Sequence, residues 1–177
     1  MILRLMMAFV IISLHSVFAS VDITKKVWSD NQGDHAFIIK REWNDDKGEE
    51  YLIIKQTTNG KNIWILKDYV KNCDVDIKLD VIKESVEVNK KISNDDSTIL
   101  FAYKIGCVGG IDPVTIKYFA YSNGVKYALR GEEHIIIGAD SFGGEKIPVP
   151  NYNLINNIDL LNYMLKKWGA ISTTRIN

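Results

Sequence analysis

Apolar and polar residues alternate along most of this chain with a period of two, and turn residues interrupt the alternation at regular intervals. The clearest run lies in residues 74–88, where apolar and charged side chains exchange places at each step: Val75, Ile77 and Leu79 against Asp76, Lys78 and Asp80. Such alternation is typical of strands with one buried face, and its regular interruption is typical of antiparallel sheets. The pattern predicts a β-rich protein.

Two Asn-Gly pairs predict tight hairpins. Asn59-Gly60 separates residues 51–58 from 61–70, and Asn123-Gly124 separates residues 114–122 from 125–131. Both residues of such a pair tolerate positive φ, which a type I′ turn requires. The alternating runs at 35–43, 74–88 and 97–107 predict further strands.

The C-terminal region changes period. Its apolar residues recur at steps of four and three and form one helical stripe: Leu154, Ile158, Leu161, Leu165 and Trp168. This spacing predicts a helix over about residues 153–168, with Asn153, Asn156 and Asn157 as candidate caps and Gly169 just past its end. We therefore expect a β-rich α+β fold, a twisted antiparallel sheet of about seven to nine strands in hairpins with one C-terminal helix packed against it.

Residues 1–19 arrange their basic and apolar residues differently from the rest of the chain. One basic residue, Arg4, precedes an apolar run from Leu5 to Leu14, and the segment ends in Val17-Phe18-Ala19. This arrangement is typical of a secretory signal peptide, and the apolar run is too short to cross a bilayer. We expect cleavage after Ala19 and a single β-rich domain over residues 20–177 without a membrane span. We therefore expect an exported protein that is located in the periplasm, with the cell surface or the medium as alternative locations.

The charge balance narrows the choice of partners. The chain carries 22 Lys and Arg residues and 22 Asp and Glu residues, and the two signs are interspersed. Such a balance gives no electrostatic reason to expect nucleic acid or anionic lipid as a partner.

Two cysteines, Cys73 and Cys107, complete the picture of an exported domain. In an oxidising compartment an isolated pair most simply forms one disulfide. The alternative, a catalytic thiol, needs a histidine partner, and only His35 and His134 follow the predicted signal peptide.

No motif for catalysis or metal binding is evident. His35 and His134 lie far apart in sequence without metal-ligand spacing, and the acidic clusters at 44–50 and 93–97 lack a calcium-loop pattern, which favours solvated turns. We expect no catalytic residue, no cofactor and no metal. A hydrolase remains an alternative, and it would need two carboxylates in a cleft or Ser141 within reach of His134.

The hairpin around Asn123-Gly124 is rich in aromatic residues and ends in a cation. We take it as the candidate partner or ligand face, made of Tyr103, Phe119, Tyr121, Tyr127 and Arg130. Aromatic rings stack on sugars or on protein partners, and a guanidinium recognises carboxylates. The alternative for Arg130 is an ion pair on the rim of the sheet.

Residues 98–168 also resemble a known family. The matching residues are Tyr103, Gly106, Cys107, Asp112-Pro113, Gly124, Lys126, Tyr127, Leu129, Arg130, Gly131 and, more weakly, Trp168. The chain resembles a family of small exported Gram-negative bacterial proteins whose label mentions surface polysaccharide biosynthesis. The segment before the first matching strand, residues 93–98, lacks the glycine of the family pattern. The resemblance implies an envelope context and supports a binding role without catalysis.

The sequence thus predicts an exported, non-enzymatic binding domain of the bacterial cell envelope, possessing a protein or glycan partner and associated with surface polysaccharide. Two alternatives belong to other classes: a periplasmic immunity protein that masks a toxin, and a hydrolase that acts on the cell wall or on surface glycan.

Overall fold

The computed structural model describes residues 20–92 and 96–176. The predicted signal peptide, residues 1–19, and the first three residues of the acidic cluster at 93–97 lie outside these ranges. In chain order the strands are β1 (Ser20–Asp30), β2 (Gly33–Asn44), β3 (Glu49–Thr58), β4 (Lys61–Val70), β5 (Asp76–Lys78), β6 (Val81–Lys91), β7 (Ser97–Val108), β8 (Thr115–Ser122), β9 (Val125–Glu132), β10 (His134–Ile137), β11 (Asp140–Gly143), β12 (Val149–Pro150) and β13 (Thr173–Ile176). The helices are α1 (Tyr152–Ile155) and α2 (Ile158–Ser172), and a short 3-10 turn occupies Asp45–Lys47.

The first four strands form an antiparallel sheet in the order β1-β2-β3-β4. Asn59 and Gly60 connect β3 to β4 with φ values of 49° and 78°, as the predicted type I′ turn requires. Asn123 and Gly124 connect β8 to β9 with φ values of 49° and 75°. Both predicted hairpins are therefore confirmed.

A six-stranded sheet has the order β12-β9-β8-β7-β5, and β6 also pairs with β7. Strands β5 and β6 lie one after the other along the same edge of β7. The predicted strand at 74–88 is thus divided in two. Within β6 the register shifts between Ile82 and Glu87, and there the Oγ atom of Ser85 accepts a hydrogen bond from the Ala102 N–H at 2.7 Å. The side chain of Ser85 replaces a missing ladder contact.

A small third sheet contains β11, β10 and β13, and β13 runs parallel to β10. The expectation of one sheet with seven to nine strands was therefore wrong. The described residues contain thirteen strands in three mostly antiparallel sheets. Alternation reports which side of a strand is buried, and it does not report whether successive hairpins join one sheet or face each other across a core.

The two larger sheets pack face to face. Their shared core contains, among others, Phe37, Leu52, Trp64, Phe101 and Phe119. We call this side of the six-stranded sheet its inner face. The opposite, outer face packs against the helices through a second core. Strand β7 is buried on both sides, which explains its continuous apolar run from Ile99 to Tyr103.

The C-terminal helix is confirmed, although its bounds and its buried stripe differ from the prediction. Asn151 caps α1 and Asn157 caps α2, and the helix continues through Gly169 to Ser172. The buried apolar residues of the two helices are Leu154, Leu160, Met164 and Ile171. Ile158 and Leu165, which belong to the predicted stripe, are 61% and 42% exposed.

Trp168, the last member of the predicted stripe, packs on the backbone of β9. A Cβ atom at Gly131 would lie 2.5 Å from the indole ring, so only glycine permits this approach. The contact fixes the end of α2 against the outer face.

Candidate recognition site

The predicted disulfide is present. Cys73 and Cys107 are bonded, with their Cα atoms 5.7 Å apart. The bond ties the segment after β4 to the end of β7, and so joins the two large sheets at the point where the chain passes between them.

Three rings of the predicted face lie in the core between the sheets. Tyr103, Phe119 and Tyr121 are 1%, 2% and 6% exposed. Tyr121 stacks on Trp64 of the facing sheet, with ring centroids 3.8 Å apart. Tyr127 points to the outer face and packs, partly buried, against the helical core. A partner cannot stack on the three buried rings while the sandwich is closed.

Arg130 is different because it is exposed. On the inner face it belongs to a row of register partners that crosses four strands: Tyr103 on β7, Lys117 on β8, Arg130 on β9 and Val149 on β12. Its guanidinium carbon lies 5.5 Å from the centroid of the Phe119 ring. Within the described ranges, no carboxylate forms a salt bridge with it, so the alternative of an ion pair on the rim is not seen there.

Lys126 reaches the same ring from the other side. Residues 126, 128 and 130 share one face of β9, and the Lys126 Nζ atom lies 5.7 Å from the Phe119 centroid. The described residues offer it no salt-bridge partner either. We call the surface formed by Lys117, Lys126, Arg130 and Val149 the cationic ledge. Lys126, Arg130 and Val149 are exposed, whereas Lys117 is partly buried.

Asp68 neutralises the positive charge of Lys117, at the inner side of the ledge. Oδ2 of Asp68, on β4, accepts hydrogen bonds from Lys117 Nζ and from the Tyr103 hydroxyl, the latter at 2.7 Å. Burial favours a raised pKa for the Asp68 carboxyl, but the hydrogen bonds from Lys117 and Tyr103 outweigh it and lower that pKa. Burial, together with the hydrogen bond to Asp68, raises the pKa of Tyr103 far above its usual value. Lys117 is therefore paired, and Arg130 and Lys126 supply the unpaired charge.

This arrangement fits the recognition of an anion. A guanidinium offers five N–H donors in a planar fork that matches a carboxylate, and in the described structure none of those of Arg130 donates to a protein acceptor. The Phe119 ring holds both cations by cation–π attraction, which reduces the entropy lost when a ligand binds. Lys126 was not predicted as a site residue, although its spacing from Arg130 places both on one strand face.

The catalytic alternative gains no support from the geometry. His134 pairs across the β10–β11 ladder with Gly143, whereas Ser141 pairs with Ile136. No hydrogen bond joins Ser141 to His134 in the structure as described. The described residues likewise contain no group of three or more His, Cys, Asp or Glu side chains that could hold a metal ion.

His35 belongs to a cluster that the sequence did not reveal. Its ring is 4% exposed, stacks on Trp28, and lies between Asp30 Oδ1 at 2.8 Å and Thr58 Oγ1 at 2.9 Å. These contacts tie the β1–β2 turn to the end of β3. The cluster explains a buried histidine by its hydrogen bonds.

Comparison with known proteins identifies no relative: no family model, no curated protein and no solved structure matches this chain. The resemblance to exported polysaccharide-associated proteins therefore stays a prediction. None of the helices in the described ranges combines the length and apolar character needed to cross a membrane.

Proposed function

We propose that this protein is an exported, non-enzymatic binding domain of the bacterial cell envelope, and that its cationic ledge recognises an acidic ligand. One observation carries the proposal. Arg130 and Lys126 are both exposed, both lie against the Phe119 ring, and neither has a carboxylate partner among the described residues. Two fixed, unpaired cations on one strand form a clamp for negative charge.

The near-neutral composition is compatible with such a site. Charge balance over the whole chain leaves open how charges are arranged locally. Among the described residues, Arg130 and Lys126 have no acidic partner of the kind that pairs other cations, such as Glu50 for Arg41 and Glu87 for Lys167. A hydrogen bond to a charged group contributes about 1.5–3 kcal/mol, and Arg130 is able to make two to one carboxylate.

Two features support export. The Cys73–Cys107 disulfide persists in oxidising compartments and is rare in reducing ones. Residues 1–19 follow the plan of a signal peptide.

An acidic surface polysaccharide is our first choice of ligand. The ledge is an open strip along β9 rather than a closed cavity, and such a strip suits a polymer that continues beyond the site at both ends. Repeated carboxylates on a glycan match two cations on one strand face, and the family resemblance points to the same class of ligand.

Affinity capture from an envelope extract tests the proposal. We expect wild-type protein to retain an acidic component, and Arg130→Ala and Lys126→Ala each to weaken retention by roughly ten- to hundred-fold. Lys166→Ala, which removes an exposed lysine on α2, serves as the matched control and leaves retention unchanged. Equal capture by all four proteins would remove the ledge from the proposal.

A periplasmic immunity protein is the second candidate, and one observation favours it. Val149, the register partner of Arg130, is 67% exposed, and nearby Ile147 is 85% exposed. Arginine is enriched at the energetic centres of protein interfaces, and exposed apolar side chains beside it favour a protein partner. If the captured component is destroyed by protease and binds with 1:1 stoichiometry, the partner is a protein; if it survives protease and is lost after periodate oxidation, the partner is a glycan.

A further inference from the structure

A second candidate site lies on another side of the sandwich. A cavity of about 480 Å³ opens between strands β1 and β2 of one sheet and strand β6 of the other. Cavities of about 300–1,000 Å³ are the size that holds small-molecule ligands. We call this cavity the amphipathic slot.

The slot exists because β1 contributes polar residues to the inside of the sandwich. Its inward positions and their register partners on β2 are Asp22 with Arg41, Thr24 with Ile39, and Lys26 with Phe37. All three β1 residues are exposed. On the opposite sheet, the irregular part of β6 between Ile82 and Glu87 moves the strand out of register with β7. Neither edge therefore fills the space between the sheets.

The floor and the far wall of the slot are apolar. Phe37 and Ile39, which are 1% and 8% exposed, belong to the shared core and also line the slot. Val81 and Val86 of β6 line the opposite side. A hydrocarbon chain that enters the slot thus contacts core side chains directly, and burying it there is favourable by the hydrophobic effect.

Polar contacts between the sheets close both ends. Arg41 forms a salt bridge with Asp80 at 3.1 Å, and Lys26 Nζ donates to the Val86 carbonyl at 3.0 Å. The two ends correspond to β1 positions four residues apart, or roughly 13 Å along the strand. The slot is narrow and short, which suits a single unbranched chain.

The rim selects the head group. Lys26 and Lys83 form no salt bridge with any described carboxylate, and both line the slot. Asp22 and Asp80 line it as well, but both lie at the Arg41 end, where Asp80 is paired with Arg41, so a carboxylate is favoured towards the Lys26 end. The geometry points to a fatty acid, whose single carboxylate would lie near Lys83 and Lys26 while its hydrocarbon chain lies over Phe37 and Ile39.

Calorimetric titration with dodecanoate, below its micelle concentration, tests this inference. We expect saturable binding of one molecule per chain. Dodecyltrimethylammonium has an equally long chain and the opposite charge, and we expect it to bind at least tenfold more weakly. Equal affinity for the two amphiphiles would overturn the role of the lysines.

Variants on β1 and on β6 locate the site. Thr24→Trp places a large ring in the slot from an exposed position, and we expect it to abolish dodecanoate binding. Lys25→Trp is the matched control, because the neighbouring residue points to the other side of the strand and its variant should bind like wild type. Lys83→Ala should weaken dodecanoate binding by about three- to tenfold without changing the thermal unfolding midpoint.

Circular dichroism separates loss of binding from loss of folding in Thr24→Trp. If the folded variant binds dodecanoate as well as wild type does, or if wild type does not bind it at all, the inference is wrong. The ledge variants Arg130→Ala and Lys126→Ala should leave dodecanoate binding unchanged, so this result is independent of the proposed function.

Discussion

The hydroxyl of Tyr103 donates a hydrogen bond to Oδ2 of Asp68 at 2.7 Å and so joins the inner face of the six-stranded sheet to β4. The same carboxylate oxygen accepts a hydrogen bond from Lys117. Asp68 therefore connects the two sheets beneath the cationic ledge, and it is the partly buried support of the surface that we propose to bind a ligand.

Tyr103→Phe should destabilise the protein by about 1–2 kcal/mol, because it removes a donor to a partly buried charge. Tyr118→Phe is the matched control. Tyr118 is equally buried, and its hydroxyl has no hydrogen-bond partner in the part of the chain described, so its removal should cost little. Urea unfolding of the two variants measures the difference. Equal losses of stability would contradict the assigned role of the Asp68 contact.

Asp68 should also make stability depend on pH. Its pKa is lowered in the folded state, so its contribution is complete above the pKa of a free aspartate, about 3.9, and is lost as the pH falls through the lower folded-state value. Asp68→Asn should be less stable than wild type at neutral pH, and the gap should narrow in acid. Urea midpoints measured across this range test the sign. A gap that widens in acid would refute it.

The Cys73–Cys107 disulfide should stabilise the fold substantially. The two residues are 34 positions apart, and closing a loop of this length contributes about 3–4 kcal/mol in the chain-entropy model. Reduction with dithiothreitol should lower the urea midpoint of wild type accordingly. The Cys73→Ser, Cys107→Ser double variant should start at the lower midpoint and not respond to the reductant.

The two sides of α2 should respond differently to truncation. Met164 is fully buried, and Met164→Ala should cost about 2–5 kcal/mol. Leu165, its neighbour in sequence, is 42% exposed, and Leu165→Ala should change stability by no more than about 0.5 kcal/mol. Thermal or urea unfolding distinguishes them. The opposite order would restore the stripe that the sequence predicted.

Local features were predicted well because they depend on few residues. The two Asn-Gly turns require positive φ at adjacent positions, and the sequence states this requirement directly. The face of α2 was not determined locally. This helix carries apolar residues on two sides, and only the sheet beneath it decides that Met164 is buried and Ile158 is not. Hydrophobic periodicity alone does not show which of two apolar stripes on a helix is buried.

In the candidate site, too, the sequence predicted what depends on neighbouring residues and missed what depends on packing between distant elements. Alternation along residues 118–121 puts Phe119 and Tyr121 on one side of β8 and Tyr118 on the other, as the structure has them, but it does not show that a second sheet covers the first two. The buried rings support the ledge rather than form it. Arg130 was chosen because it is the cation just before Gly131 at the end of the predicted strand 125–131, whereas Lys126 required reading β9 as one face.

Site-specific photo-crosslinking tests the central claim most directly. A benzoylphenylalanine at position 149, beside Arg130, is compared with one at position 166 on α2, in cells of the native host. We predict a covalent adduct at position 149 that disappears with the added Arg130→Ala and Lys126→Ala substitutions, and no such adduct at position 166. An adduct at position 149 that persists without both cations, or no adduct there in the otherwise unaltered protein, would contradict recognition through the cationic ledge.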